Sequence, residues 1–223
     1  MKSSERHTLK LKICGMKNPE NIREIAQLQP DYMGLIFYEK SPRFVESQIS
    51  EIPSAIKKTG VFVNASVDVI LEKVRDYHLQ AVQLHGDESA DFCQQVKEAI
   101  ADTKLEIIKV FSVKNEFNFA VLNDFEPFVD YFLFDTKGKN KGGNGITFNW
   151  EVLKNYPSSV PFFLSGGIGI EEVEEIKKLQ KWFHQNGQEG LLYAVDVNSR
   201  FEDAPGLKNA EKLQVFKESL AKK

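Results

Sequence analysis

Short runs rich in Val, Ile and Phe recur along the chain, each followed by a longer stretch whose apolar residues return at helical spacing. The first pattern is that of strands covered on both faces, the second that of amphipathic helices laid against them. Eight runs read as strands, at residues 9–14, 32–38, 58–63, 81–84, 106–111, 131–135, 162–165 and 192–197. Between and after them the spacing predicts helices over 18–28, 67–77, 89–101, 170–183 and 210–221, with Asn18-Pro19 and Ser66 placed to start two of them.

Alternation of strand and helix implies βα units and a parallel sheet. Eight units in 223 residues, about 28 residues each, match an α/β fold of the (β/α)₈ TIM-barrel type, an eight-stranded parallel barrel. A doubly wound open sheet is the competing arrangement. No linker or shift of composition divides the chain, so residues 1–223 are expected to form a single barrel domain.

Composition narrows the functional classes. Hydrophobic residues make up 42% and charged residues 27%, as in an ordinary globular protein, and 17 Phe provide much of the interior filling. The 29 basic and 32 acidic residues are mixed, without the basic block that tracks a nucleic-acid backbone, so no nucleic-acid partner is expected. The charged opening Met1-Lys2-Ser3-Ser4-Glu5-Arg6-His7 lacks the apolar core of a signal peptide, and no run approaches the roughly 18 apolar residues of a membrane span. Cys14 and Cys93 lie in unrelated contexts, which fits a reducing compartment; the expected location is the cytoplasm, with no membrane partner.

In a parallel barrel the residues that follow each strand converge on one rim. Here that rim collects Cys14, Arg43, Asn64, His85 and Asp135, then Gly166, Gly167, Asp196 and Ser199. A thiol and a carboxyl at the ends of buried strands point to a proton acceptor and a proton donor facing one pocket. Ser165-Gly166-Gly167-Ile168-Gly169 and Asn198-Ser199-Arg200-Phe201-Glu202 follow the seventh and eighth strands, where barrels often bind phosphate through backbone amides. Gly166 and Gly167 either admit an anion or only make a tight turn. His85 either orients substrate or bonds a loop carbonyl, while His7, His78 and His184 have no metal-ligand spacing. The lysine- and glycine-rich stretch 137–145 reads as a lid over an anionic substrate or as a surface loop.

Eight motifs taken in order carry a specific resemblance. They are Lys12-Ile13-Cys14-Gly15-Met16, Ser41-Pro42-Arg43-Phe44-Val45, Gly60-Val61-Phe62-Val63-Asn64, Gln83-Leu84-His85-Gly86-Asp87-Glu88, Phe134-Asp135-Thr136, the segment 142–150, Leu164-Ser165-Gly166-Gly167-Ile168 and Val195-Asp196-Val197-Asn198-Ser199. Together they resemble the phosphoribosylanthranilate isomerases from Leu9 to about Asn209. The resemblance implies a cofactor-free barrel of tryptophan biosynthesis that performs an Amadori rearrangement, turning N-(5-phosphoribosyl)anthranilate into 1-(2-carboxyphenylamino)-1-deoxyribulose 5-phosphate. It implies Cys14 as general base, Asp135 as general acid and Arg43 as the holder of the anthranilate carboxylate. Gly166, Gly167, Ser199, Arg200, Asp196 and His85 are then expected around a phosphorylated small molecule, with no metal. For those roles the thiol should titrate below its usual value of about 8.5 and the carboxyl above about 3.9. A monomer or a homodimer is compatible with the family.

Two departures stand out. Arg200 replaces the glycine of the family's Ser-Gly-Val-Glu, which would be strained if φ had to be positive; its side chain either turns outward or adds charge to the phosphate site. Asn144-Gly145-Ile146-Thr147 lacks the lysine of the family's Thr-Gly-Lys-Thr. Other enzymatic readings are a metal-dependent pentose phosphate epimerase, which needs paired His and Asp ligands, and a two-aspartate aminoaldose isomerase, which needs Asp at position 14. A barrel that only binds a phosphorylated metabolite, or uses Cys14 as a redox sensor, is the non-catalytic alternative.

Overall fold

The computed structural model describes residues 8–46, 49, 51–101, 103–114, 116–136 and 148–222. Eight parallel strands close on themselves: β1 Lys10–Cys14, β2 Tyr32–Ile36, β3 Lys57–Phe62, β4 Ala81–Leu84, β5 Glu106–Val113, β6 Tyr131–Thr136, β7 Phe162–Leu164 and β8 Leu192–Val197. Each pairs with its successor, and β8 returns to β1 with Lys12 opposite Asp196 and Ile13 opposite Val197. The open sheet is therefore excluded. All eight expected strands are present, with ends shifted by one or two residues.

The five expected helices also form: α1 Pro19–Ala26, α2 Val67–Tyr77, α3 Ala90–Ala99, α4 Val173–Gln185 and α5 Ala210–Ala221. Side-chain oxygens of Asn18, Ser66, Ser89 and Asn209 accept amide hydrogen bonds at the first turns of α1, α2, α3 and α5. The expected start of α4 at Ile170 is instead a 3₁₀ turn, Ile170–Glu172. Between β5 and β6 two 3₁₀ turns, Phe119–Leu122 and Glu126–Phe128, stand where a full unit would carry a helix. The rings of Phe111, Phe117, Phe119 and Phe134 meet edge-on there, so aromatic packing covers the sheet in the helix's place. After β8 a small ribbon, β9 Glu202–Ala204 and β10 Leu207–Lys208, folds over the rim.

Two apolar layers follow from strand alternation. Outward residues pack with Ile22, Ile70, Val96, Leu179 and Phe216 of the helices. Inward residues Tyr32, Ala81, Ile108, Val110, Leu133, Phe163 and Ala194 fill the barrel. At its lower end the rings of Tyr32, Tyr131, Phe163 and Tyr193 pack together, Tyr131 and Tyr193 stacked and the contacts of Tyr32 and of Tyr131 with Phe163 edge-on, with Lys57 and Glu106 bonded to the Tyr32 hydroxyl. That plug closes the bottom and leaves the upper rim as the site of any cavity within the barrel.

Candidate active site

One step above the inner apolar layer the same strands turn polar. Gly34, Gln83, Asp135 and Asp196 lie two residues beyond Tyr32, Ala81, Leu133 and Ala194, and therefore on the same inward face. On β1 the inward positions are Lys12 and Cys14. Lys12 is fully buried, and its Nζ lies 2.9 Å from Asp196 Oδ1. Gly34 stands opposite Cys14 in the register, and a Cβ there would come within 2.7 Å of the Cys14 sulfur, so the absent side chain is what makes room for the thiol.

Burial pushes the Cys14 thiol above its ordinary value, against the pull of the Lys12 and Lys208 ammonium groups. This corrects the expectation of a lowered thiol: the apolar wall of a barrel penalises the thiolate more than the nearby cations favour it. Burial also works against the charge of Lys12, but Asp196 and Cys14 raise it above the ordinary lysine value. Asp196 is pushed up by burial and by the neighbouring Asp135, with Lys12 opposing. Lys12 is thus supported by Asp196 and Cys14, while Asp196 has Lys12 and His85 favouring its charge and Asp135 opposing it.

Asp135 is buried on β6, its Oδ1 accepting from the Thr136 amide at 2.9 Å and its Oδ2 lying 3.4 Å from His85 Nε2. His85 Nδ1 meets Gln83 Nε2 at 3.2 Å. His85 therefore bridges a strand amide and the carboxyl proposed as acid, rather than bonding a loop carbonyl. The turn that carries it is framed from below: Glu88 accepts from the amides of Asn64 and Gly86, and Lys109 donates to Glu88 Oε2 at 2.8 Å and to the Gly86 carbonyl at 3.0 Å. Asn64 belongs to this frame, at φ 52° with its Oδ1 accepting from the Asp87 amide, and not to the cavity wall.

Arg43 reaches the rim from the loop after β2. Its Nε and Nη2 fork onto Glu202 at 2.8 and 2.6 Å, and Lys208 Nζ bonds the same carboxylate at 2.6 Å and Asn198 Oδ1 at 2.7 Å. Burial alone would raise Glu202, yet Arg43 and Lys208 hold it below the usual glutamate value. Gly15, at φ 77°, permits the crossing, since a Cβ would stand 2.6 Å from Arg43 Cδ and 2.7 Å from Asn198 Oδ1.

Gly166 and Gly167 follow β7 at φ 91° and 67°, and a Cβ on Gly166 would strike Thr136. The pair turns the chain tightly and lines the cavity. Ser199 and Arg200 open a 3₁₀ turn, Ser199–Phe201, and Arg200 has no positive φ, so the missing glycine leaves no strain. The Arg200 guanidinium bends to Glu171, 3.1 Å away and exposed, tying the loop after β8 to that after β7. The proposed lid 137–145 and the substituted segment 144–147 lie outside the described residues.

Cys14, Arg43, His85, Asp135, Asp196 and the loop residues Gly166, Gly167, Ser199 and Arg200 all line one cavity of about 610 Å³ at the upper rim. That volume is in the range of small-molecule sites. Among the described residues no cluster of His, Cys, Asp or Glu is arranged to hold a metal ion, and none of the helices is long and apolar enough to cross a membrane. A closed parallel barrel with an acid, a thiol and the loops after β7 and β8 on one mouth places the chain among the (β/α)₈ proteins with a small-molecule cavity at the strand ends.

Within that class the chain belongs to the N-(5'-phosphoribosyl)anthranilate isomerase family, whose model matches residues 11–219. The N-(5'-phosphoribosyl)anthranilate isomerase of Parabacteroides distasonis is 40% identical over 212 residues, covering 92% of this chain and 90% of that protein. That of Phocaeicola vulgatus is 38% identical over 213 residues, covering 96% and 98%. The crystal structure of the Thermus thermophilus phosphoribosyl anthranilate isomerase superposes with a TM-score of 0.77 at 25% identity, covering 96% and 98% of the two chains. A phosphoribosyl anthranilate isomerase in complex with reduced 1-(o-carboxyphenylamino)-1-deoxyribulose 5-phosphate superposes at 0.69 with 27% identity, covering 96% and 99%.

Sequence reasoning missed Lys12, Gly34, Gln83 and Glu202 as parts of the site. A signal existed for Lys12, a charged residue on the inward phase of a strand between Leu11 and Ile13. None existed for the partnership of Arg43 with Glu202, which lie 159 residues apart.

Proposed function

We propose that this chain catalyses the isomerisation of N-(5'-phosphoribosyl)anthranilate, with Asp135 as general acid and Cys14 as general base. The carrying observation is that both groups line one cavity whose wall also contains the loops after β7 and β8. Asp135, protonated, gives its proton to the ribose ring oxygen as the C1–O bond breaks, and the nitrogen lone pair forms the C1=N iminium. Cys14, as thiolate, removes the C2 proton; the C2–H electrons form C1=C2 and the iminium π pair returns to nitrogen. The resulting enolamine loses its enol proton and gains one at C1, giving the 2-ketone. Each proton transfer of this kind contributes typically about 10²–10⁴-fold.

The amides of Gly166, Gly167 and Ser199 suit a phosphate, and Arg43, its guanidinium plane set by Glu202, suits the anthranilate carboxylate. Asp196 and His85 line the wall between these ends. We read residues 1–223 as a single domain, acting as a monomer or homodimer in the cytoplasm. Its two cysteines are free and buried, in keeping with a reducing compartment.

Loss of anthranilate-type fluorescence on adding N-(5'-phosphoribosyl)anthranilate to the purified protein tests the reading. Cys14→Ala and Asp135→Asn should each lose about 10²–10⁴-fold in kcat while still binding the product. Full turnover by Cys14→Ala removes the thiol from the base role, and no turnover by the unaltered protein removes the activity.

A further inference from the structure

Lys12 takes no part in the chemistry above, yet it is buried directly beneath the thiol. A lysine placed without solvent in a barrel core costs free energy even when paired, and an apolar replacement of such a pair is often neutral or better for stability. Its presence calls for a reason connected with the site.

We propose that Lys12 is a positioning residue that eases formation of the Cys14 thiolate, its ammonium bonded to Asp196 and standing beneath the sulfur on the same face of β1. The inference rests on the reading of Cys14 as base. Lys12 and Cys14 are alternate inward residues of β1, so their side chains point to the same side of the sheet. Lys12 Nζ lies 2.9 Å from Asp196 Oδ1, with side-chain exposures of 0% and 5%. An ammonium has three donors, and the Asp196 contact uses one. The Cys14 sulfur lies one step further along the same inward face, so carboxylate, ammonium and sulfur interact electrostatically across β8 and β1.

The charges that face the sulfur are Lys12 on β1, Asp196 on β8 and Lys208 on β10. Burial disfavours the thiolate; Lys12 and Lys208 oppose that effect and Asp196 adds to it. When the thiolate takes the C2 proton, the ammonium keeps its proton and its bond to Asp196, so Lys12 steadies both states without entering the proton count. Asp196 has a second task in this scheme: it keeps Lys12 charged in a place where burial would strip the proton away.

The test is the pH dependence of Cys14 alkylation by iodoacetamide, read in a Cys93→Ala background so that a single thiol reacts, alongside the acid limb of kcat/KM. Lys12→Met should raise the alkylation midpoint by about one pH unit or more, a tenfold loss of thiolate below the midpoint, and move the acid limb with it. Because this change strands the Asp196 carboxylate, Lys12→Met/Asp196→Asn is measured too. With no bare charge left, its midpoint should still stand above that of the parent, since Lys12 shares the inward face of β1 with Cys14 whereas Asp196 stands opposite Lys12 on β8. A role as mere filler predicts the opposite sign: a loosened, wetter site brings a buried thiol down toward its ordinary value. An unchanged or lowered midpoint in both variants overturns the proposal. Turnover by Cys14→Ala reports separately on the base assignment, because its survival would leave a shifted alkylation midpoint standing.

Discussion

Gly34 shows how one missing side chain can make a site. Cys14 sits opposite it on the neighbouring strand, and a Cβ there would meet the sulfur at 2.7 Å and the Cys14 Cα at 3.0 Å. The space over Gly34 is what admits the sulfur. Gly34→Ala should therefore displace the thiol rather than merely crowd it. We expect a stability loss of about 1–3 kcal/mol by urea unfolding, and a fall in kcat larger than any rise in KM. A change confined to KM would show that the sulfur had kept its place.

At the scale of elements, loops do the aiming and buried ion pairs hold the loops. His85 leaves β4 at a turn whose amides point at Glu88, and Lys109 of β5 ties that carboxylate to the carbonyl of Gly86. Side-chain exposures of 3% and 2% make Lys109–Glu88 a buried pair, for which loss of one partner costs about 3–5 kcal/mol. Glu88→Gln should lower stability toward that range and loosen the turn, so activity should fall even though Glu88 is not a group lining the cavity. An unchanged urea midpoint together with unchanged kcat would show that the turn stands without the pair. The Arg200–Glu171 bridge is of a different kind: its groups are 41% and 74% exposed, and such pairs contribute little to stability.

Over the whole molecule, the cluster of Arg43, Glu202 and Lys208 joins the loop after β2 to the ribbon after β8, and so ties the first quarter of the chain to its end. Glu202 is held below the usual glutamate value by Arg43 and Lys208 against its own burial. A carboxyl depressed in the folded state contributes stability that is complete above its unfolded pKa and is lost as pH falls through the folded one. Urea unfolding should therefore show an acid-side loss of stability beginning below about pH 5. Glu202→Gln should flatten this component while lowering stability at neutral pH; an acid limb identical in the variant would assign the loss to other carboxylates.

Periodicity was enough to place eight strands and five helices and to imply a parallel sheet, because burial on one face or both imposes a spacing that any chain must write into its order of residues; closure into a barrel rather than an open sheet was decided by the tertiary structure. Cys14, Asp135 and the glycines after β7 were legible for a related reason: strand ends in such a barrel share one rim. What surrounds them was not legible. Arg43 reads as a solvated loop cation until Glu202, 159 residues away, is seen beneath it, and His85 shows no partner until β4 and β6 bring Gln83 and Asp135 to it. Nor does the order of residues reveal that the thiol is raised, since its titration depends on how much solvent the closed barrel removes and on the distance of Lys12. Local order determines which elements form; electrostatics and hydrogen bonding act through space, and only closure of the barrel sets those distances.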